Sequence, residues 1–121
     1  MTTNLLIIRH AHAQKLEDCN IPMDDFHRPL SDLGVINFVE SMEGLKTLFP
    51  QVDTILTSPL VRCAETAKIV KENYHNNIDI ISSEEFSTEC DVLDSINWLN
   101  KNYAHKNIIL VGHGSQLRQL I

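Results

Sequence analysis

A run of four apolar residues, Leu5-Leu6-Ile7-Ile8, stops abruptly at a cation and an imidazole, Arg9-His10. A short continuous apolar run, with β-branched residues in it, reads as a strand buried on both faces. That is the pattern of a central strand in a parallel α/β sheet. In open α/β sheets, ligands bind just outside the carboxyl ends of the strands. Arg9 and His10 therefore stand where a ligand is expected. A guanidinium beside a potential nucleophile points to an anion, most simply a phosphoryl group.

The remaining chain alternates between strand and helix patterns. Residues 11 to 30 are polar, with Pro22 and Pro29, and read as a loop with one helical turn lying over the strand ends. Ser31 or Asp32 caps an amphipathic helix whose apolar positions are Val35, Phe38, Val39, Met42, Leu45 and Phe49. Gly34 and Gly44 weaken that helix without breaking it, and Pro50 ends it. Asp53 to Thr57 is a second strand. Ser58 as N-cap and Pro59 as first helical residue open a helix to about Asn73. Ile78 to Ile81 is a third strand, followed by an acidic loop from Ser82 to Cys90. Val92, Leu93, Ile96, Leu99 and Tyr103 mark a helical face. Asn107 to Val111 is a fourth strand ending in Gly112-His113-Gly114, and residues 115 to 121 begin a further helix. This order predicts a three-layer α/β/α fold around a mainly parallel sheet.

At 121 residues, 43% of them hydrophobic, the chain reads as one soluble domain over residues 1–121. The net charge of -6 argues against nucleic acid or an anionic membrane as main partner. A local phosphate pocket remains compatible with it. Cys19, Cys63 and Cys90 show no CxxC spacing, so they read as reduced thiols of a cytoplasmic protein. No signal peptide and no stretch long enough to cross a bilayer is evident.

Two strands end in histidine at the same sheet edge, His10 and His113. Arg62 falls in the first turn of the helix after the second strand, where helix N-termini favour anions. Arg9, His10, Arg62 and His113 can thus converge on one phosphate. The chain resembles the histidine phosphatase superfamily, with its phosphoglycerate mutase-like fold. The resemblance rests on Arg9-His10, on Ser58-Pro59-x-x-Arg62-x-x-Glu65-Thr66-Ala67, on Gly112-His113 and on Pro29-Leu30-Ser31-x-x-Gly34. Ala11 stands where many members have glycine. The form Arg9-His10-Ala11-x-Ala13, with Arg28-Pro29-Leu30, looks most like the small SixA-type phosphohistidine phosphatases.

The resemblance implies a metal-independent phosphatase, without cofactor, in which His10 forms a phosphohistidine intermediate. Arg9, Arg62 and His113 hold the equatorial oxygens, and Arg28 is an outer substrate contact or a surface salt bridge. Glu85 is the candidate general acid, with Glu84 and Glu89 as rivals. The implied partner is a phosphorylated protein such as a histidine phosphotransfer domain, or a small phosphate ester. A mutase is disfavoured because there is little room for lid segments. A metal pair at His10-x-His12 and a phosphate-binding module without turnover are the readings from other classes. The other histidines, His12, His27, His75 and His105, read as solvated or supporting residues. The resemblance also implies that a C-terminal helix and strand are missing, leaving the first strand with an unpaired edge. A less stable chain, a monomer or a weak dimer, is the expectation that follows.

Overall fold

In the computed structural model, residues 4–19, 24–74, 77–83, 101 and 106–112 are described. The four apolar runs form strands: β1 (Asn4–Arg9), β2 (Thr54–Thr57), β3 (Asp79–Ser82) and β4 (Asn107–Gly112). They make one parallel sheet in the order β1-β4-β2-β3. The chain steps from β1 to β2 to β3 and then returns, so β4 lies between β1 and β2. Strand order reverses there, and such reversal points are where open α/β sheets bind ligands. Arg9 is in register with Gly112, and the His10 amide donates to the Gly112 carbonyl at 3.0 Å.

Helices α1 (Asp32–Leu48) and α2 (Val61–Tyr74) pack into one apolar cluster. Met42, Cys63, Ala67 and Val70 from the helices meet Ile55, Ile109 and Val111 from the sheet. The alternate residues of the central strands, Leu56, Ile108 and Leu110, are just as buried, each with 0% exposure. Both faces of the sheet are therefore covered, which is the three-layer α/β/α arrangement predicted from the continuous apolar runs. β1 is at the edge and pairs only with β4 among the described residues; its Leu5 is 38% exposed.

Ser31 is the N-cap of α1, its hydroxyl accepting from the Gly34 amide at 3.0 Å. Two features differ from the sequence reading. Val39 lies on the exposed side of α1, while Met42 carries the buried contact. Helix α2 begins at Val61, and Pro59 is not its first residue. Ser58 still belongs to the strand exit, its amide donating to the Val111 carbonyl at 3.2 Å while its hydroxyl accepts from Leu60 at 3.3 Å. The Leu60 carbonyl then accepts the amides of Cys63 and Ala64, which starts the helix two residues later. The expected loop turn is realised as two 3-10 turns, Leu16–Asp18 and Asp25–His27. Among the described residues, no helix is long and apolar enough to cross a membrane.

Candidate active site

His10 leaves β1 at the point of strand reversal and is half-buried. Its Nδ1 lies 2.7 Å from the Ala11 carbonyl oxygen. A carbonyl oxygen only accepts, so Nδ1 carries the proton and Nε2 carries the lone pair. Burial lowers the His10 pKa below its ordinary value of 6.5, and the charges of Arg62, Arg9 and Arg28 push it further down. The Ala11 hydrogen bond opposes these effects without reversing them. The imidazole is therefore neutral at pH 7, with a nucleophilic nitrogen free.

Arg62 is buried in the first turn of α2, with 5% exposure. Its Nη1 donates to the Asp25 carbonyl at 2.8 Å and its Nη2 to Asp25 Oδ2 at 3.1 Å. Arg28 donates from Nη1 to the Gln14 carbonyl at 3.3 Å and pairs through Nη2 with Asp25 Oδ1 at 3.1 Å. Arg9 is exposed at the end of β1. Asp25 joins Arg62 to Arg28, and Thr66 links the Arg62 carbonyl to the Ala11 amide beside His10; His113 and Glu85 lie outside the described residues, as does Cys90. His12, exposed, places Nδ1 3.1 Å from Ser31 Oγ, and His27 pairs with Asp24 at 2.7 Å. Among the described residues, no group of three or more His, Cys, Asp or Glu side chains could hold a metal ion.

The other residues of the motifs build the frame of the loop. Thr66, fully buried, accepts the Ala11 amide on its hydroxyl at 3.0 Å and donates to the Arg62 carbonyl at 2.8 Å. Glu65 accepts the Leu30 amide at 2.9 Å, tying the Pro29-Leu30 segment to α2. The Ser31 amide and hydroxyl both donate to the His12 carbonyl, at 2.9 and 3.2 Å. A Cβ at Gly34 would overlap that same carbonyl oxygen, so only glycine lets the loop and α1 approach. Burial pushes the Cys63 thiol up to about 11, against the opposing influence of Arg62 and a Ser58 hydrogen bond. It packs in the core.

Asp25 and the bridging role of Thr66 were not legible in the sequence. Thr66 stood inside a recognisable motif, where its position three residues after Cys63 on a buried helix face was the available signal. Asp25 is one carboxylate in a polar loop, and nothing in its spacing sets it apart.

The sequence profile of the histidine phosphatase superfamily, branch 1, matches residues 5–92. The chain belongs to that superfamily. Its fold is similar to that of a protein assigned as phosphohistidine phosphatase SixA from Agrobacterium tumefaciens, with TM-score 0.80 and 22% identity. That alignment covers 98% of this chain and 74% of the relative. A counterpart from Nakamurella multipartitia gives TM-score 0.77 at 20% identity, over 96% of this chain and 62% of its own. The protein histidine phosphatase SixA complexed with tungstate gives 0.77 at 19% identity, over 96% of this chain and 72% of its own. The chain thus spans between 62% and 74% of these structures' lengths. No curated protein matches it in sequence. Superfamily membership supports phosphatase-type chemistry with a histidine nucleophile at the level of the class.

Proposed function

We propose that the chain is a phosphatase that accepts the phosphoryl group on His10 Nε2, its substrate a phosphohistidine in a protein. The observation that carries this reading is the His10 Nδ1–H held by the Ala11 carbonyl, which leaves Nε2 free, at the end of β1, with burial and the charges of Arg62, Arg9 and Arg28 favouring the neutral ring. A neutral imidazole is a nucleophile, and the surrounding guanidiniums attract the dianion it must attack. In the first step the P–N bond of the substrate breaks as the bond from phosphorus to Nε2 forms, and the leaving imidazole takes a proton. Water then attacks phosphorus, the P–Nε2 bond breaks and inorganic phosphate leaves. Arg9 and Arg62, with His113, are assigned to the equatorial oxygens, Arg28 to the outer side of the substrate. Glu85 is assigned to protonation of the leaving group, a lesser need for imidazole than for an alkoxide. The likeness to SixA structures, one of them holding the phosphate-like oxyanion tungstate, supports the same choice of substrate.

The test is hydrolysis of phosphohistidine and of para-nitrophenyl phosphate in EDTA, by wild type and His10→Ala. The expected result is turnover that survives EDTA, disappears with His10→Ala and favours the phosphoramidate. A preference for the ester replaces the protein substrate with small phosphate esters. Activity lost in EDTA refutes the metal-independent mechanism, and activity retained by His10→Ala refutes the nucleophile. A folded wild type that binds phosphate without turning over is a binding module.

A further inference from the structure

The Ala11 carbonyl that holds the proton on His10 Nδ1 is itself held from a distant element. Ala11 lies between two anchored residues. On one side the His10 amide donates to the Gly112 carbonyl of β4 at 3.0 Å, and on the other the His12 carbonyl accepts from Ser31 at 2.9 and 3.2 Å. Neither bond fixes the rotation of Ala11 between them. Its amide donates to Thr66 Oγ1 at 3.0 Å, and its carbonyl oxygen meets His10 Nδ1 at 2.7 Å. These two groups are separated only by the φ and ψ of one residue, so a turn of the amide carries the carbonyl with it.

Thr66 stands on α2 one turn after Arg62, with 0% exposure. A hydroxyl has a single proton to give. Thr66 gives it to the Arg62 carbonyl at 2.8 Å, so a lone pair is what it offers to Ala11. The helix itself thereby sets the orientation of the hydroxyl, by the bond to the carbonyl four residues back that helical threonines favour. Ala11 is 7% exposed, so water is a poor replacement for Thr66. Without the hydroxyl the buried amide is orphaned and turns toward another acceptor, which draws the carbonyl off His10. In a neutral imidazole, the nitrogen that carries the proton is set by the bond the other ring atoms can make. An imidazole freed from the Ala11 carbonyl can carry its proton on Nε2, the nitrogen that must attack.

We propose that Thr66 is the positioning residue of the nucleophile: through the two peptide groups of Ala11 it keeps the proton on His10 Nδ1 and the lone pair on Nε2. The proposal rests on the phosphatase reading for the role of Nε2. Its test is nitrogen NMR of the histidine rings at mildly alkaline pH in wild type, Thr66→Val, Thr66→Ser and Thr66→Ala. The His10 signals are identified by their absence from His10→Gln. Single-turnover transfer of the phosphoryl group from phosphoramidate to His10 is measured on the same proteins. Wild type is expected to show a protonated Nδ1 and a bare Nε2. In Thr66→Val, which keeps the shape and removes the hydroxyl, the ratio of the Nδ1–H to the Nε2–H tautomer is expected to fall by roughly three- to tenfold, the worth of one net hydrogen bond. The transfer rate falls with it, and Thr66→Ser, which restores the hydroxyl, recovers both.

An unchanged tautomer in Thr66→Val overturns the proposal, as does a change that Thr66→Ser does not reverse. A wild type with the proton on Nε2 overturns it too, and so does a shifted tautomer with a wild-type transfer rate. Thr66→Ala is the second variant should Thr66→Val not fold; if neither folds, Thr66 is a structural support and the proposal falls. The phosphatase reading fails separately: a wild type that takes no phosphoryl group and turns over no substrate refutes it, while the ring spectra still decide whether Thr66 sets the tautomer.

Discussion

The two glycines of α1 predict opposite responses to the same substitution. At Gly44 an added Cβ meets nothing within 4 Å. Gly44→Ala therefore gains helix propensity alone, about 0.5–1 kcal/mol. At Gly34 the added Cβ would overlap the His12 carbonyl oxygen, and it would lie 3.0 Å from both the His12 carbonyl carbon and Ser31 Oγ. The obstructing atom cannot swing aside, because it is main chain and receives two hydrogen bonds from Ser31. Either α1 or the loop must move, an overpacking cost of about 1–3 kcal/mol plus strain on those bonds. After subtracting the propensity gain, Gly34→Ala is expected to lose about 2 kcal/mol. In a chain of this size that is a fall in Tm of roughly 6–10 °C, against a rise of about 2–4 °C for Gly44→Ala. Urea and thermal denaturation of the two variants, read by circular dichroism, decide the matter. His12 is two residues from His10, so Gly34→Ala should also weaken phosphate binding while Gly44→Ala leaves it alone. The packing account is refuted if Gly34→Ala is as stable as wild type, or if both variants shift the same way.

Thr66→Val should cost about 1–3 kcal/mol by orphaning the buried Ala11 amide, and should lower turnover. Thr66→Ser, losing a methyl group but keeping the hydroxyl, should cost about 1 kcal/mol and spare turnover; equal activities would show that the hydrogen bond does not position the loop. The His10 pKa lies below 6.5, so its neutral form persists under mild acid. The acid limb of kcat/KM should fall below pH 6.5, and a limb at or above that value contradicts the burial and charge argument. The sign for stability follows from the same depression: protonation favours the unfolded chain, so this contribution is present above pH 6.5 and is lost as pH falls through the folded pKa. Cys63, with 0% exposure and a thiol pushed up to about 11, should resist alkylation at pH 8 until the protein unfolds. Mass spectrometry of native and urea-treated protein reads this directly, and modification of Cys63 in the native state would count against its burial.

How much could be read from the sequence depends on the range of each interaction. The strands announce themselves because burial on both faces demands unbroken apolar runs, as at Ile108-Ile109-Leu110. Arg9 and His10 follow from the place where such a run ends, and Arg62 from its place at the start of a helix. The start of α2 was misread because Ser58-Pro59 is a strong local signal. The Ser58 hydroxyl does accept the Leu60 amide, but the first carbonyl to accept helical amides is that of Leu60, so the regular helix starts at Val61. Asp25 was missed for another reason. Its partners are 3 and 37 residues away, and no periodicity links an isolated turn to the first turn of a helix. Val39 fits the helical stripe of α1 as well as Met42 does, and only the position of the sheet decides between them.

The bond from His10 Nδ1 to the Ala11 carbonyl has a genetic consequence. The acceptor is main chain, and every amino acid at position 11 would bring the same oxygen. No codon change there removes the acceptor that sets the nucleophile's tautomer. Selection on position 11 is thus a matter of volume, since the residue is 7% exposed and its amide is already bound to Thr66. Alanine and glycine both meet that condition, so either can stand at position 11 without altering the proton on His10. A lineage can drift at this site between the smallest side chains while the imidazole beside it stays under the same chemical constraint.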